Sequence, residues 1–306
     1  MKYRRSISLL SISLIFLSVI ASLFGILTRR GPGEHKIESF RGGDVFVYGK
    51  GLYENEPVSN AVQVIAQDMV TILLGIPLLL FSLILFRRGS LRGQFILAGT
   101  LGYFLYTYAS YTFLLMYNHF FLIYVLLMSI SFFAFILVMM SFDIKNLGSF
   151  FTPKIPAKWI GGVLILMGSG VLLMWMGRIL PSMKNGTVPE GLEHSTTLVI
   201  QALDLGFIVP IAILAGILTI RRKPFGYLLA SIVIVKLFTL STAVTFMAFS
   251  MKMVGLEVSL VESLSFSVIT LIFIFLMCLI INHVEENPHT IITDILDDES
   301  LFQKGE

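Results

Sequence analysis

Eight continuous apolar runs, each long enough to cross a bilayer, constrain this chain more than any other feature of its sequence. A helix of about 20 apolar residues spans the hydrocarbon core of a membrane, because it rises about 1.5 Å per residue. A membrane β-barrel is excluded, since its strands alternate between apolar and polar residues. We therefore predict an all-α transmembrane bundle with spans at 7–27, 62–86, 95–117, 120–142, 159–180, 198–220, 225–251 and 258–281.

The composition agrees with a protein whose main partner is the lipid bilayer. Hydrophobic residues make up 56% of the 306 residues and charged residues only 13%, too few to cover a soluble protein of this length. A single cysteine excludes a disulfide scaffold. Basic residues form short clusters at the ends of the apolar runs, a pattern that excludes a nucleic-acid-binding surface.

The distribution of Lys and Arg predicts which side of the membrane each loop faces. With the N-terminus inside, thirteen of these residues fall in inner segments and eight in outer ones, five of them in the long first outer loop. Because basic residues concentrate on the cytosolic side, both termini are expected in the cytosol of a cell-membrane protein. The first run is expected to remain as an anchor, since no small-residue cleavage site follows it.

This topology divides the chain into a transmembrane domain, 1–282, and a cytosolic acidic tail, 283–306. The domain has two halves, 1–150 and 151–282, and a long outer loop at 28–60. Within this loop, residues 44–53 predict a small hairpin of two short strands about the Gly-Lys-Gly turn at 49–51.

Runs two and three resemble runs six and seven in the order of their landmarks. Each copy has an acid, a proline, an Arg-Arg pair and a glycine: Asp68, Pro77, Arg87-Arg88 and Gly93, then Asp204, Pro210, Arg221-Arg222 and Gly226. Four runs separate the copies, so both have the same orientation. We expect a parallel 4+4 internal repeat about an axis along the membrane normal. The distance from acid to glycine differs by three residues between the copies.

Three strings resemble stretches of a family of prokaryotic multi-pass membrane proteins. The longest, LDLGFIVPIAILAGILTIRRKPFGYLLA, occupies residues 203–230, and the others occupy 87–93 and 106–111. The resemblance covers roughly runs two to seven and implies a prokaryotic membrane protein. No activity is established for that family, so the resemblance implies no functional residue and no substrate.

A few polar residues inside the apolar runs are the candidate functional residues. A charged side chain at the bilayer centre costs about 2.5–3.5 kcal/mol, so each one requires a partner or a function. Lys236 lies near the predicted midplane, and we expect it to point into the bundle and to pair with an acid, first of all Asp204. The candidate intramembrane site contains Asp68, Tyr103, Tyr106, Ser110, Asp204, Lys236 and Glu262.

These candidates also have structural interpretations. Asp68 could be an acid stabilised by the positive end of its helix dipole. Asp204 could form an ion pair that holds two helices together, and Glu262 could be a residue at the outer rim. Run three carries a polar face that suits either a cavity wall or hydrogen bonds between helices, formed by Tyr103, Tyr106, Thr107, Ser110 and Tyr111.

Three functions follow from these residues and stay open. The favoured one is a non-catalytic membrane protein whose intramembrane charges are structural. The alternative is a carrier for a small polar solute, which would use Asp204, Lys236 and the hydroxyl groups of run three. The third is an enzyme with an acidic site at the outer face, gathered from Asp68, Asp204, Glu193, His194 and Glu262. The sequence lacks hydrolase, metalloprotease and paired-cysteine motifs, so no metal or other cofactor is predicted.

Overall fold

The computed structural model describes residues 3–189 and 191–286, and this part of the chain is mostly helical. Each predicted apolar run coincides with a long helix. In chain order these are α1 (Arg4–Leu27), α2 (Val58–Arg87), α3 (Leu91–Leu114), α4 (Phe121–Met140), α5 (Ala157–Asn185), α6 (Val199–Ile220), α7 (Pro224–Met253) and α8 (Leu260–Asn282). Seven of the described helices, all except α3, are long and apolar enough to cross a membrane. They indicate a multi-pass membrane protein.

The remaining long helix, α3, lies inside the bundle. It contacts α2, α4, α6 and α7, and most of its residues are buried. A helix enclosed by other helices needs no apolar surface toward lipid, so it can hold buried polar side chains. Gln94, Thr100, Tyr103 and Thr107 are all buried on α3.

The centre of the bundle is the contact between α3 and α7. Gly99 of α3 lies against the carbonyl of Ile232 and the side chain of Val235, so that a Cβ at position 99 would have no room. Around this contact, α1 packs on α2 and α4, α5 packs on α6, and α8 packs on α7. The polar residues of α3 and α7 therefore meet inside the bundle.

One wider π-helical turn interrupts α2 and another interrupts α6. These turns are Thr71–Gly75 and Asp204–Ile208. Each turn ends two residues before a proline, Pro77 in α2 and Pro210 in α6. A proline inside a helix lacks an N–H donor and clashes with the carbonyl four residues earlier. The wider turn accommodates the proline, and such turns occur frequently at functional sites.

The loop between α1 and α2, which is the predicted outer loop, forms a hairpin, but with different strands from those predicted. β1 (His35–Glu38) pairs antiparallel with β2 (Asp44–Val47), and residues 39–43 form the turn. The prediction that 44–53 contains both strands was wrong, because Gly51–Tyr53 forms a 3₁₀ turn. The glycines at 49 and 51 adopt positive φ and lie against the backbone of earlier loop residues, where a side chain would not fit.

This hairpin lies on the loop between α5 and α6. The Arg41 guanidinium donates hydrogen bonds to the backbone carbonyls of Glu193 at 2.9 Å and Ser195 at 2.5 Å. The Ser59 hydroxyl, at the start of α2, lies 2.9 Å from both carboxylate oxygens of Glu193. The loop between α1 and α2 is thus joined directly to the loop between α5 and α6.

The first residues of the predicted tail also make defined contacts. Val284 pairs with Phe151 of the loop between α4 and α5, and its carbonyl accepts hydrogen bonds from Arg92 at 2.9 and 2.7 Å. The Ser90 hydroxyl donates to Glu286 at 2.6 Å. The segment that follows α8 therefore docks on the start of α3 and on the loop between α4 and α5. Residues 287–306 of the predicted tail lie outside the described residues.

Candidate functional site

Asp204 is the centre of a polar site built by four helices. Its carboxylate accepts a hydrogen bond from the Tyr106 hydroxyl of α3 at 2.7 Å and another from the Trp175 indole N–H of α5 at 2.9 Å. Asp204 itself begins the π turn of α6 and is 8% exposed. Together with Lys236 of α7, these residues form what we call the Asp204 site.

The Lys236 side chain points into the bundle, as predicted, and is 6% exposed. Its ammonium nitrogen lies 3.9 Å from the centre of the Tyr106 ring, a cation–π arrangement. Among the described residues the nitrogen has no hydrogen-bond acceptor, and the ion pair that these residues contain joins Lys36 to Asp44 instead. The expected direct pair with Asp204 is therefore not formed.

Tyr106 explains how the two opposite charges are arranged without direct contact. Its ring face lies under the ammonium of Lys236, while its hydroxyl donates to the carboxylate of Asp204. Asp204 still acts on Lys236 electrostatically. The carboxylate is satisfied by two neutral donors, whereas the ammonium has no hydrogen-bond acceptor among the described residues.

Asp68 is the centre of a second polar group, which we call the Asp68 cluster. Its carboxyl accepts hydrogen bonds from the Tyr53 hydroxyl at 2.5 Å and the Tyr111 hydroxyl at 3.1 Å. Gly25 of α1 lies against this group, and a Cβ there would collide with Asp68 and Tyr53. The outer loop, α1, α2 and α3 thus meet at one buried carboxyl, which is 1% exposed.

A neutral hydrogen-bond network lies beside the Asp68 cluster. The Gln67 side chain donates to Tyr103 at 2.7 Å and to Thr107 at 3.2 Å, and the hydroxyls of Thr71 and Tyr103 are 3.0 Å apart. Thr71 begins the π turn of α2. Both π turns therefore begin at a residue that hydrogen-bonds to a tyrosine of α3.

The remaining candidates lie apart from these two groups. Ser110 donates to the carbonyl of Tyr106 on its own helix at 2.8 Å. Glu262 is exposed at the start of α8, where it forms a capping box with Ser259. His194 lies in the outer loop, 3.2 Å from Ser39. No three or more His, Cys, Asp or Glu side chains of the described residues are grouped to hold a metal ion.

Several functional residues were missed from the sequence. Trp175 was read as part of an apolar span, although it is one of only two tryptophans and carries an N–H donor. No local sequence pattern indicates a role for Tyr53, because it reaches Asp68 from the loop between α1 and α2. Glu56, in the same loop, is buried and accepts hydrogen bonds from Asn60 at 2.5 Å and from the Met116 backbone at 2.6 Å. Burial raises the pKa of the Glu56 carboxyl to about 7.

Comparisons of the chain with protein-family models, curated proteins and solved structures find no significant match.

Proposed function

We propose that this protein is a carrier that binds a small polar solute at the Asp204 site. The ammonium of Lys236 carries the proposal, because it is buried and has no hydrogen-bond acceptor or ion-pair partner among the described residues. Placing a lysine at membrane depth costs about 2.5–3.5 kcal/mol, a cost that a bound acceptor would offset. A solute with a carboxylate group supplies such an acceptor.

The position of the site supports a carrier. The Asp204 site joins helices of both halves, since Tyr106 lies in the first half and the other three members lie in the second. It also begins at a π turn, where a helix deviates from regular geometry. Carriers place their substrates at the interface of two repeats, commonly beside interrupted helices.

A structural role for the same charges is the second candidate. It is favoured by the two hydrogen bonds to Asp204, which tie α3, α5 and α6 together. The enzyme alternative has less support. Glu193 is engaged with Ser59, and Glu262 caps its own helix, so these acids are bound separately and do not converge with Asp68.

An internal repeat of two four-helix halves is part of the proposal. Equivalent positions in the two copies are separated by one constant number of residues. With this offset, the π turn Thr71–Gly75 corresponds to Asp204–Ile208 and Gly93 corresponds to Gly226. Gly93 and Gly226 each lie against the last turns of the preceding helix. The same offset carries Gly89 onto Arg222, and both of these residues adopt positive φ after the preceding helix ends.

Under this offset the acids Asp68 and Asp204, which the sequence comparison treated as equivalent, do not correspond. The offset pairs Thr71 with Asp204 and Tyr103 with Lys236, while Asp68 is paired with Gln201. In the first half, Thr71 and Tyr103 are hydrogen-bonded to each other. We propose that the second half carries a charged version of this contact, which is the Asp204 site.

The contact between α3 and α7 supports a two-fold axis between the halves. Under the same offset, Gly99 corresponds to Ile232 and Gly102 to Val235. Gly99 lies against both Ile232 and Val235. At an interface on a two-fold axis, a residue contacts its own equivalent in the other copy. With an axis along the membrane normal, the halves have parallel orientation, and all eight helices cross the membrane.

The orientation is proposed from the charge distribution. With both termini in the cytosol, the loop that contains the hairpin faces outward and the loops after α2, α4 and α6 face inward. The Arg-rich ends of α2 and α6 then lie at the inner surface of the cell membrane. Arg92 and Val284 join the two halves at this same inner side.

A ligand screen with matched lysine variants tests the proposed solute site. Thermal unfolding of the purified protein in detergent is measured with acetate, succinate or glycine. A bound solute raises the unfolding midpoint because it binds only the folded state. We expect at least one of these compounds to stabilise the wild-type protein and Lys252→Met, whose lysine is exposed on the same helix. The shift should be lost in Lys236→Met.

The same screen distinguishes the carrier from the structural alternative. Equal stabilisation of wild type and Lys236→Met would place the ligand elsewhere and contradict the proposal. A Lys236→Met variant that folds with lower stability, together with no ligand effect on the wild type, would support a structural role only.

A further inference from the structure

Helix α1 carries a row of buried hydroxyl groups on one face. Ser11, Ser18 and Ser22 are fully buried, and none of these side chains has a hydrogen-bond partner among the described residues. At 3.6 residues per turn, positions 11, 18 and 22 lie on the same side of the helix. Serines in membrane helices usually donate to the carbonyl four residues earlier, as Ser231 does on α7. The serines of α1 do not make this bond.

One buried tyrosine faces this row, and a second faces Asp68. The hydroxyls of Tyr108 on α3 and Tyr124 on α4 also have no hydrogen-bond partner among the described residues. Ser18 faces Tyr108, and Ser22 faces Asp68, in both cases outside hydrogen-bonding geometry. Buried hydroxyls without protein partners are normally satisfied by internal water. The row, together with the two tyrosines, therefore forms a polar path that we call the serine file.

The serine file ends at the Asp68 cluster. Gly25 continues the same face of α1 and lies directly against the Asp68 carboxyl and the Tyr53 hydroxyl. The hydrogen bonds to this carboxyl come from two tyrosine hydroxyls and not from a basic side chain. An ionised carboxyl without a cation is expensive at this depth, whereas a neutral acid is tolerated.

We infer that Asp68 is a proton-binding site that exchanges protons with water along the serine file, from the N-terminal end of α1. Protonation forms an O–H bond at an Asp68 carboxylate oxygen and breaks one in a hydronium ion, which leaves as water. Release reverses the two steps. Tyr53 closes the opposite end of the path by covering the carboxyl from the outer loop.

The surroundings of Asp68 contain other titratable groups, and none of those that face it from the described part of the chain is basic. Tyr53 faces the carboxyl from the outer loop, Tyr103, Tyr108 and Tyr111 from α3, and Tyr124 from α4. Glu56 acts on Tyr124 at the outer end of the cluster. The site is separate from Lys236 and Asp204, so it does not depend on the solute proposal.

Infrared difference spectroscopy on the purified protein in lipid nanodiscs tests the proton site. A pH titration follows the carbonyl stretch of protonated carboxyl groups. Glu56 is also expected to give a titrating band, which Glu56→Gln removes. We expect a further titrating band that is kept in Glu56→Gln and in Glu262→Gln, a control acid that is exposed, and is lost in Asp68→Asn. Tyr53→Phe should shift the same band, because it removes one hydrogen bond to the carboxyl. This second variant decides the question if Asp68→Asn does not fold.

Exchange into D₂O tests the path. Ser18→Val should slow the deuterium shift of the Asp68 band several-fold, while Ser13→Val, on the opposite side of α1, should leave the rate unchanged. A spectrum in which neither Asp68→Asn nor Tyr53→Phe alters a titrating band would overturn the proton site. Equal exchange rates in the two serine variants would overturn the serine file.

Discussion

The ammonium of Lys236 lies 3.9 Å from the centre of the Tyr106 ring. The hydroxyl of the same tyrosine donates a 2.7 Å hydrogen bond to Asp204. One aromatic side chain therefore stabilises a cation with its face and an anion with its edge. The cation is left without a hydrogen-bond acceptor among the described residues, which an ion pair with Asp204 would have supplied.

Two substitutions at Tyr106 separate these contributions. Tyr106→Phe removes the hydrogen bond to Asp204 and should cost about 1–2 kcal/mol. Tyr106→Leu also removes the cation–π contact and should cost about 0.5–2 kcal/mol more. Thermal unfolding in detergent measures both, with Tyr117→Phe at an exposed position as the control. Equal melting points for the Phe and Leu variants would show that the ring does not stabilise Lys236.

Labelling of introduced cysteines checks the topology. In a background that lacks Cys278, the single native cysteine, Lys50→Cys in the outer loop should react with a membrane-impermeant maleimide in intact cells. Arg88→Cys should react only after permeabilisation, because the Lys and Arg distribution places it inside. A reporter fused after Glu306 should likewise be cytosolic. Labelling of Arg88→Cys in intact cells would invert the proposed orientation.

The helices could be predicted from the sequence because apolar length alone determines which segments span a membrane. The cost of burying charge likewise identified Asp204 and Lys236 without any structure. Their arrangement could not be predicted, since it depends on Tyr106 and Trp175, which reach across from other helices. Sequence distance carries no information on such contacts.

The outer hairpin was placed incorrectly for a related reason. Glycines at 49 and 51 suggested a turn between strands. Their positive φ instead allows close contacts with the backbone of other loop residues. The true turn, at 39–43, contains two further glycines and was equally compatible with the local pattern. Local turn chemistry identified a hairpin in this loop but did not select its strands.

Alanine substitution at Gly25 tests the packing of the Asp68 cluster. A Cβ at this position would collide with the Asp68 carboxyl and the Tyr53 hydroxyl, and should cost about 1–3 kcal/mol. Gly162→Ala on α5 is the matched control, because a Cβ there meets nothing within 4 Å. Unfolding midpoints of the two variants provide the comparison. A Gly25→Ala variant as stable as Gly162→Ala would contradict the close approach of α1 to Asp68.

The buried Glu56 makes the stability of the outer loop depend on pH. Burial raises the pKa of its carboxyl from 4.5 to about 7, so between these values the folded protein holds a proton that the unfolded chain has lost. Stability should therefore be greatest at low pH, fall by at most about 3 kcal/mol as pH rises through this interval, and then level off. Melting points between about pH 5 and pH 8 measure this fall.

The Glu56→Gln variant is the control for this pH dependence. It keeps a side-chain oxygen for the Met116 amide but cannot ionise, so its stability should change less over the same pH range. Identical pH dependence in the wild-type protein and in Glu56→Gln would contradict the raised pKa of the Glu56 carboxyl.

The last prediction concerns Lys236 and Asp204 together. Asp204→Asn leaves the ammonium of Lys236 without a counter-charge, and should destabilise the protein by about 2 kcal/mol or more. Adding Lys236→Met removes that charge, so the double variant should be more stable than Asp204→Asn alone. Thermal unfolding of both single variants and the double variant completes a mutant cycle whose coupling energy is expected to exceed about 0.5 kcal/mol. Strictly additive effects would mean that Asp204 does not act on Lys236 through Tyr106. Recovered stability without recovered ligand binding would identify the same two residues as the solute site.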